Sequence, residues 1–228
     1  MCYNIRKRNK NERTPKMPNF RVTFSKDDVL VYISHLDLNH AFIRALNRAD
    51  IKLKFSEGFN PHPKIVFALP LSVGMEGENE IVDIGVADEE MTAERFGQLL
   101  QEQMPAHIRI KKVDIAETKL KDITSASYRI YIDKLSIADK LAKLFDGEIS
   151  VLKKTKSGEK QVIISKQIRN ISIRESENET VIHAILDASA DSYLNPELIV
   201  RAMTDAGIIS ENDTCRIKRK EIITGERK

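Results

Sequence analysis

Tryptophan is absent from the 228 residues, aromatic side chains amount to only 6%, and just two cysteines occur. With so few rings, the core has to be assembled from Ile, Leu, Val and Ala. Cys2 and Cys215 lie near opposite ends of the chain and read as two free thiols of a reducing compartment. No closely spaced cysteine set exists to hold zinc or an iron–sulfur cluster, so neither a metal nor another cofactor is expected. Apolar runs stay well short of the roughly 18 residues needed to cross a bilayer. The first 20 residues lack the apolar stretch of a secretory leader. The expectation is therefore a cytoplasmic protein without a membrane partner. A Walker-type phosphate loop and a dinucleotide fingerprint are also missing.

What is present suits a folded chain: 41% hydrophobic and 31% charged residues are a globular, not a disordered, balance. The net charge is only +3, but it is unevenly spread. Residues 1–16 carry six Lys/Arg against Glu12, and residues 214–228 carry six against Glu221 and Glu226. The body between these basic ends is therefore acidic, at −6. Basic ends can touch polyanions or simply be solvated tails, but the whole surface is no phosphate-binding face.

Residues 1–18 are basic and aperiodic and read as a disordered arm. Phe20, Val22 and Phe24 then alternate with polar residues as a strand, and 29–33 read as a further short strand. Ser34 stands at a helix N-cap position with Asp37 three residues on, and Leu38, Ala41, Phe42 and Ala45 follow at helical spacing. Strands are predicted over 51–55, 65–71 and 80–86, a helix from 92 or 93 to 104, and a strand over 107–115. Strand, helix, strand, strand, helix, strand is the ferredoxin-like order. The same order recurs after a polar stretch: strand 128–132, helix 138–145, hairpin 149–154 with 161–165, strands 171–173 and 180–186, helix 196–206 and strand 216–223. The fold class expected is α+β, as two tandem ferredoxin-like (βαββαβ) domains over 19–116 and 127–223. Residues 117–126 would link them, and 224–228 would form a tail.

Four groups of residues carry possible chemistry. In Ser34-His35-Leu36-Asp37, the His35 imidazole suits an anion-binding or a base role, while capping alone also accounts for Ser34 and Asp37. A Ser–His–Asp hydrolase is disfavoured, because neighbours in one helical turn cannot adopt that geometry. His40, Arg44 and Arg48 repeat every four residues as one stripe, either a phosphate contact or a solvated face. The loop Gly58-Phe59-Asn60-Pro61-His62-Pro63-Lys64 is stiffened by two prolines. It would present Phe59, Asn60, His62 and Lys64 at low ordering cost, or merely join two strands. Finally Lys153, Lys154, Lys156 and Lys160 crowd a hairpin tip, and Arg216, Lys218 and Arg219 sit on the last strand as a second basic surface. His35, His62 and Asp37 would suit a metal only if they converged, which their spacing does not demand.

Phe24-Ser25-Lys26, Tyr32-Ile33-Ser34-His35-Leu36-Asp37, Arg44-Ala45, the 56–64 loop, Ala68-Leu69-Pro70-Leu71 and Gly74 to Glu80 resemble the radical SAM-linked (radical SAM-associated) protein family. The likeness covers most of the chain, with its specific motifs in 24–80 and a weaker return at Arg216-Ile217. One departure is Ser165, where the family pattern implies a carboxylate. The resemblance implies a chain encoded beside, or fused to, a radical SAM protein, often near genes for a ribonuclease and ribosomal proteins. It thereby implies a non-catalytic accessory or substrate-binding partner of a radical SAM enzyme, with RNA or the ribosome as target. Two alternatives remain: an independent RNA-binding protein, and a metal-independent RNA-processing endonuclease with His35 as general base, by analogy of fold with CRISPR repeat-processing enzymes.

Overall fold

The computed structural model describes residues 18–118, 120–155 and 158–225. Its first strand, β1 (Asn19–Lys26), buries Phe20, Val22 and Phe24 and turns Arg21 and Thr23 to the other side. A 3-10 turn (Asp28–Tyr32) leads into α1 (His35–Arg48), whose stripe of Leu38, Phe42, Ala45 and Leu46 is buried. Then come β2 (Ile65–Phe67), β3 (Met75–Gly85), α2 (Ala93–Gln103) and β4 (Ile108–Ile115). The second half holds β5 (Ile123–Ile132), α3 (Ala138–Asp146), β6 (Ser150–Thr155), β7 (Gly158–Ile163), β8 (Ile168–Glu175), β9 (Thr180–Asp187), α4 (Glu197–Asp205) and β10 (Cys215–Thr224).

The architecture is α+β. Among the described residues one mostly antiparallel sheet runs β4-β1-β3-β10-β5-β9-β8, with β2 also on β3, and β6-β7 form a separate hairpin. The long strand β3 joins the halves. Its start pairs in parallel with β10 (Met75 with Ile217, Gly77 with Arg219), while its end pairs with β2 (Val82 with Phe67, Ile84 with Ile65). Two apolar cores lie on one face of this sheet. The first gathers Phe20, Phe24, Phe42, Leu46, Phe96 and Leu100. The second gathers Ile130, Ile182, Leu141, Leu194, Ile199 and Met203. Ring pairs such as Phe24 on Phe42, 5.0 Å apart and edge to face, tighten the first. No described helix is long and apolar enough to cross a membrane.

Several elements differ from the sequence expectation. Residues 29–33 do not form a strand; Asp28 has a positive φ of 52°, which turns the backbone out of the extended region and into the 3-10 turn. Residues 51–55 contribute only isolated bridges, Leu53 to Val86 and Phe55 to Pro63. The strand expected over 65–71 ends at Phe67, and β5 already begins at Ile123, inside the stretch read as a linker. Pro18 is held, since its carbonyl accepts from the Val86 amide at 3.1 Å. The remainder of the arm, residues 1–17, lies outside the described residues, as do Lys119, Lys156, Ser157 and 226–228.

Candidate functional site

The N-terminus of α1 is a complete capping box. The Asp37 amide donates to Ser34 Oγ at 3.1 Å, and Ser34 Oγ donates to Asp37 Oδ2 at 2.6 Å. The Ser34 hydroxyl therefore holds the Asp37 carboxyl below the usual carboxylate range. Both side chains are thus engaged with each other. Exposed His35, in the first turn, stands edge-on to Phe67 of β2 with ring centres 5.0 Å apart. Along the helix His40, Arg44 and Arg48 are exposed, and Arg48 donates to the Gln103 carbonyl at the end of α2. That contact places a cation where the dipole of α2 favours one.

The 56–64 loop is closed at its base. The Ser56 amide donates to the His62 carbonyl at 2.8 Å and the His62 amide returns a bond to Ser56 Oγ at 3.0 Å. Just outside it, Lys54 and Lys64 straddle Gly85 through three backbone bonds of 2.8–2.9 Å. A Cβ at Gly85 would lie 3.1–3.2 Å from both lysine side chains, so glycine suits this crossing. At the tip Gly58 adopts φ +119°, a conformation that other residues rarely take. Phe59 beside it is fully exposed, and Asn60 and His62 are exposed as well.

His35 packs on Phe67 of β2, whereas the His62 backbone is tied to Ser56 at the base of the loop and its side chain is exposed. Lys64 belongs to another feature, an open groove of about 590 Å³ that it lines with Asn19, Val66, Asp83, Thr118 and Leu120. Arg21 reaches Asp83 through two bonds of 2.8 Å and also donates to Thr118 Oγ at 2.7 Å.

The last strand corrects the expected second basic surface. Arg219 is 1% exposed: Nε donates to Glu80 Oε1 at 2.9 Å, a second nitrogen pairs with the other Glu80 oxygen, and the Leu69 carbonyl accepts at 2.6 Å. It is a buried fastener between β10 and β3, not a surface cation. Lys218 pairs with Glu76 at 2.6 Å and Lys220 with Glu78, so alternating glutamates of β3 neutralise alternating cations of β10. Arg216 pairs with Glu179 at 2.7 Å while lying over the Tyr131 ring. Lys26 and Tyr128 complete the buried seam in one row with Gly77 and Arg219. Burial lowers the Lys26 pKa, with Glu80 opposing and Arg219 reinforcing. Burial pushes the Tyr128 phenol up to about 12. At the hairpin, Lys160 is exposed; Lys156 and the side chains of Lys153 and Lys154 lie outside the described residues.

Sequence reasoning missed the uncovered face of the second half. Arg129 and Tyr131 of β5, His183 of β9 and Arg174 of β8 line it, with Arg216 and Lys218 of β10. With Ile130 and Ile182 in the core, strand alternation in 128–132 and 180–186 sets these neighbours outward, which is the signal that could have found them. Among the described residues no cluster of three His, Cys, Asp or Glu side chains stands within reach of one metal ion.

Residues 19–196 match a family described as "Uncharacterized protein conserved in bacteria (DUF2344)". The chain belongs to that family. No curated protein matches it. Among solved structures, one of a Cbf5-Nop10-Gar1 complex superposes with a TM-score of 0.50 at 10% identity, covering 89% of this chain and 48% of that one. The chain thus spans about half the length of the structure it matches, and at such identity the likeness concerns the fold alone. An unknown protein from Galdieria sulphuraria, also 10% identical and covering 89% of this chain and 98% of that one, has a TM-score of 0.27 and carries no argument.

Proposed function

We propose that this DUF2344 chain is a cytoplasmic recognition protein that serves a radical SAM enzyme as a non-catalytic accessory or substrate-binding subunit in RNA or ribosome modification. The carrying observation is Phe59, fully exposed at the tip of a loop whose ends are tied by backbone hydrogen bonds. An aromatic ring held in water forgoes about 1.5–3 kcal/mol of burial, which a partner's pocket would recover. A loop already ordered loses little entropy on docking. Aromatic anchors of this sort dominate protein interfaces. The link to a radical SAM enzyme comes from the motif resemblance of residues 24–80.

The architecture is read here as two fused ferredoxin-like units, about 19–116 and 127–223. The strand orders β4-β1-β3-β2 and β10-β5-β9-β8 support this reading, with the β6-β7 hairpin as an insertion after α3. On this reading the chain presents surfaces and the enzyme supplies the reaction. The endonuclease alternative is weaker, because the neighbours of His35, Ser34 and Asp37, are bonded to each other and its ring faces Phe67. The test is affinity purification of the tagged full chain from native cells, with mass-spectrometric identification. A radical SAM protein recovered with the native chain and lost with Phe59→Ala supports the reading; equal recovery with both, or none with either, refutes it.

A further inference from the structure

β5 is the central strand of the second half, and its side chains alternate between two environments. Ile130 and Ile132 enter the core. Arg129 and Tyr131 face the other way, onto a sheet surface that carries none of the core-forming helices. The register builds two rows across that surface. One runs Lys218, Arg129, His183, Ser172; the other runs Arg216, Tyr131, Val181, Arg174.

Two of the cations on this face lack a carboxylate partner among the described residues. Lys218 and Arg216 have carboxylate partners in Glu76 and Glu179. Among the described residues Arg129 and Arg174 have none, and Arg129 Nε is buried without a hydrogen-bond partner. The Arg129 guanidinium and the exposed Arg174 therefore carry positive charge that phosphate oxygens can neutralise. The surplus sits on a chain body that is otherwise acidic. Beside it Tyr131 lies under the Arg216 guanidinium, 5.0 Å from ring centre to the guanidinium carbon. A planar cation on an aromatic ring offers a surface on which bases stack. Ser172 and Asn170 at the β8 edge supply exposed hydrogen-bonding groups.

We infer that the open sheet face formed by Arg129, Tyr131, Arg174, His183, Arg216 and Lys218 binds single-stranded RNA. Phosphates would pair with Arg129 and Arg174, and a base would stack at Tyr131 and Arg216. This deepens the accessory reading by naming the substrate class; it rests on that reading for its role, while the surface itself is separate from the Phe59 loop. His183 offers a local reporter. Burial, Arg129 and Arg174 together depress its pKa, and a phosphate placed among them would raise it.

The test is fluorescence anisotropy of the full chain with an end-labelled single-stranded RNA of about 12 nucleotides, between about 50 and 200 mM KCl. Arg174→Gln/Arg216→Gln changes two exposed side chains and keeps the fold. It is expected to weaken binding at least about tenfold and to flatten the salt slope by about 0.7 per lost phosphate contact. Lys143→Gln, on the exposed side of α3, should bind like the native chain. In NMR titrations, assigned with His183→Gln, RNA should raise the His183 pKa. No binding at the lowest salt, affinity and slope unchanged in the double variant, an unmoved His183, or equal affinity for a glutamate oligopeptide would each overturn the inference. Because the RNA assay uses the chain alone, its failure is distinguishable from failure to capture a radical SAM protein.

Discussion

Replacing Glu80 by Gln would leave Arg219 and Lys26, each 1% exposed, inside the seam with no carboxylate among the described residues in contact with either. Breaking a buried ion pair by removing one partner typically costs 3–5 kcal/mol, because the remaining charge has lost its compensation. Here the loss falls where β10 meets β3, so it should appear as reduced stability of the whole sheet. For a chain of this size 3–5 kcal/mol corresponds to a Tm lower by roughly 6–20 °C. Urea unfolding followed by far-UV circular dichroism reads the same quantity as a midpoint shift. Gly77→Ala supplies an independent route to the same defect. A Cβ there would stand 2.4 Å from Glu80 Cγ and force that side chain away from Arg219. Both variants should destabilise, and replacing Glu80 and Arg219 together by apolar residues should recover part of the loss. A cost below about 1 kcal/mol for Glu80→Gln would refute the reasoning, since surface pairs are worth that little.

The alkaline limb of stability should depend on Tyr128. Its folded-state pKa, about 12, lies above the ordinary 10, so its contribution is complete below pH 10 and disappears as pH rises through 12. Lys26 acts oppositely, its lowered pKa yielding a gain in stability as pH climbs toward the ordinary lysine value. Tyr128→Phe should therefore reduce the loss above pH 10, as followed by urea unfolding at each pH, the remainder coming from Tyr193, whose phenol burial also pushes up. Ser34→Ala should destabilise by about 1 kcal/mol through the lost cap. Because the Asp37 pKa is lowered, the cap's support is present above the ordinary carboxylate pKa and is lost on acidification through the folded value. Stability curves of native and Ser34→Ala protein should converge there.

What could be read from the sequence was the local chemistry. Alternation at Phe20, Val22 and Phe24 marked a buried face, and Ser34 with Asp37 formed the cap that their spacing suggested. What could not be read was anything decided by distant partners. Arg219 looks like a surface cation among Lys218 and Lys220, and only pairing with Glu80, 139 positions away, buries it. His35 and His62 lie in one motif-rich stretch, yet each is engaged elsewhere, His35 on Phe67 and the His62 backbone on Ser56. Arg129 and His183 drew no notice because each is an isolated polar residue in its own strand. The β5–β9 register makes them direct neighbours.

The most direct measurement is the affinity of the purified full chain for a purified radical SAM protein from the same cells, by isothermal titration, for native and Phe59→Ala forms. The account predicts binding by the native chain and a loss of at least about tenfold for Phe59→Ala, the loss typical of an anchor residue, with urea midpoints unchanged. Equal affinities, or no binding by the native chain, would contradict it.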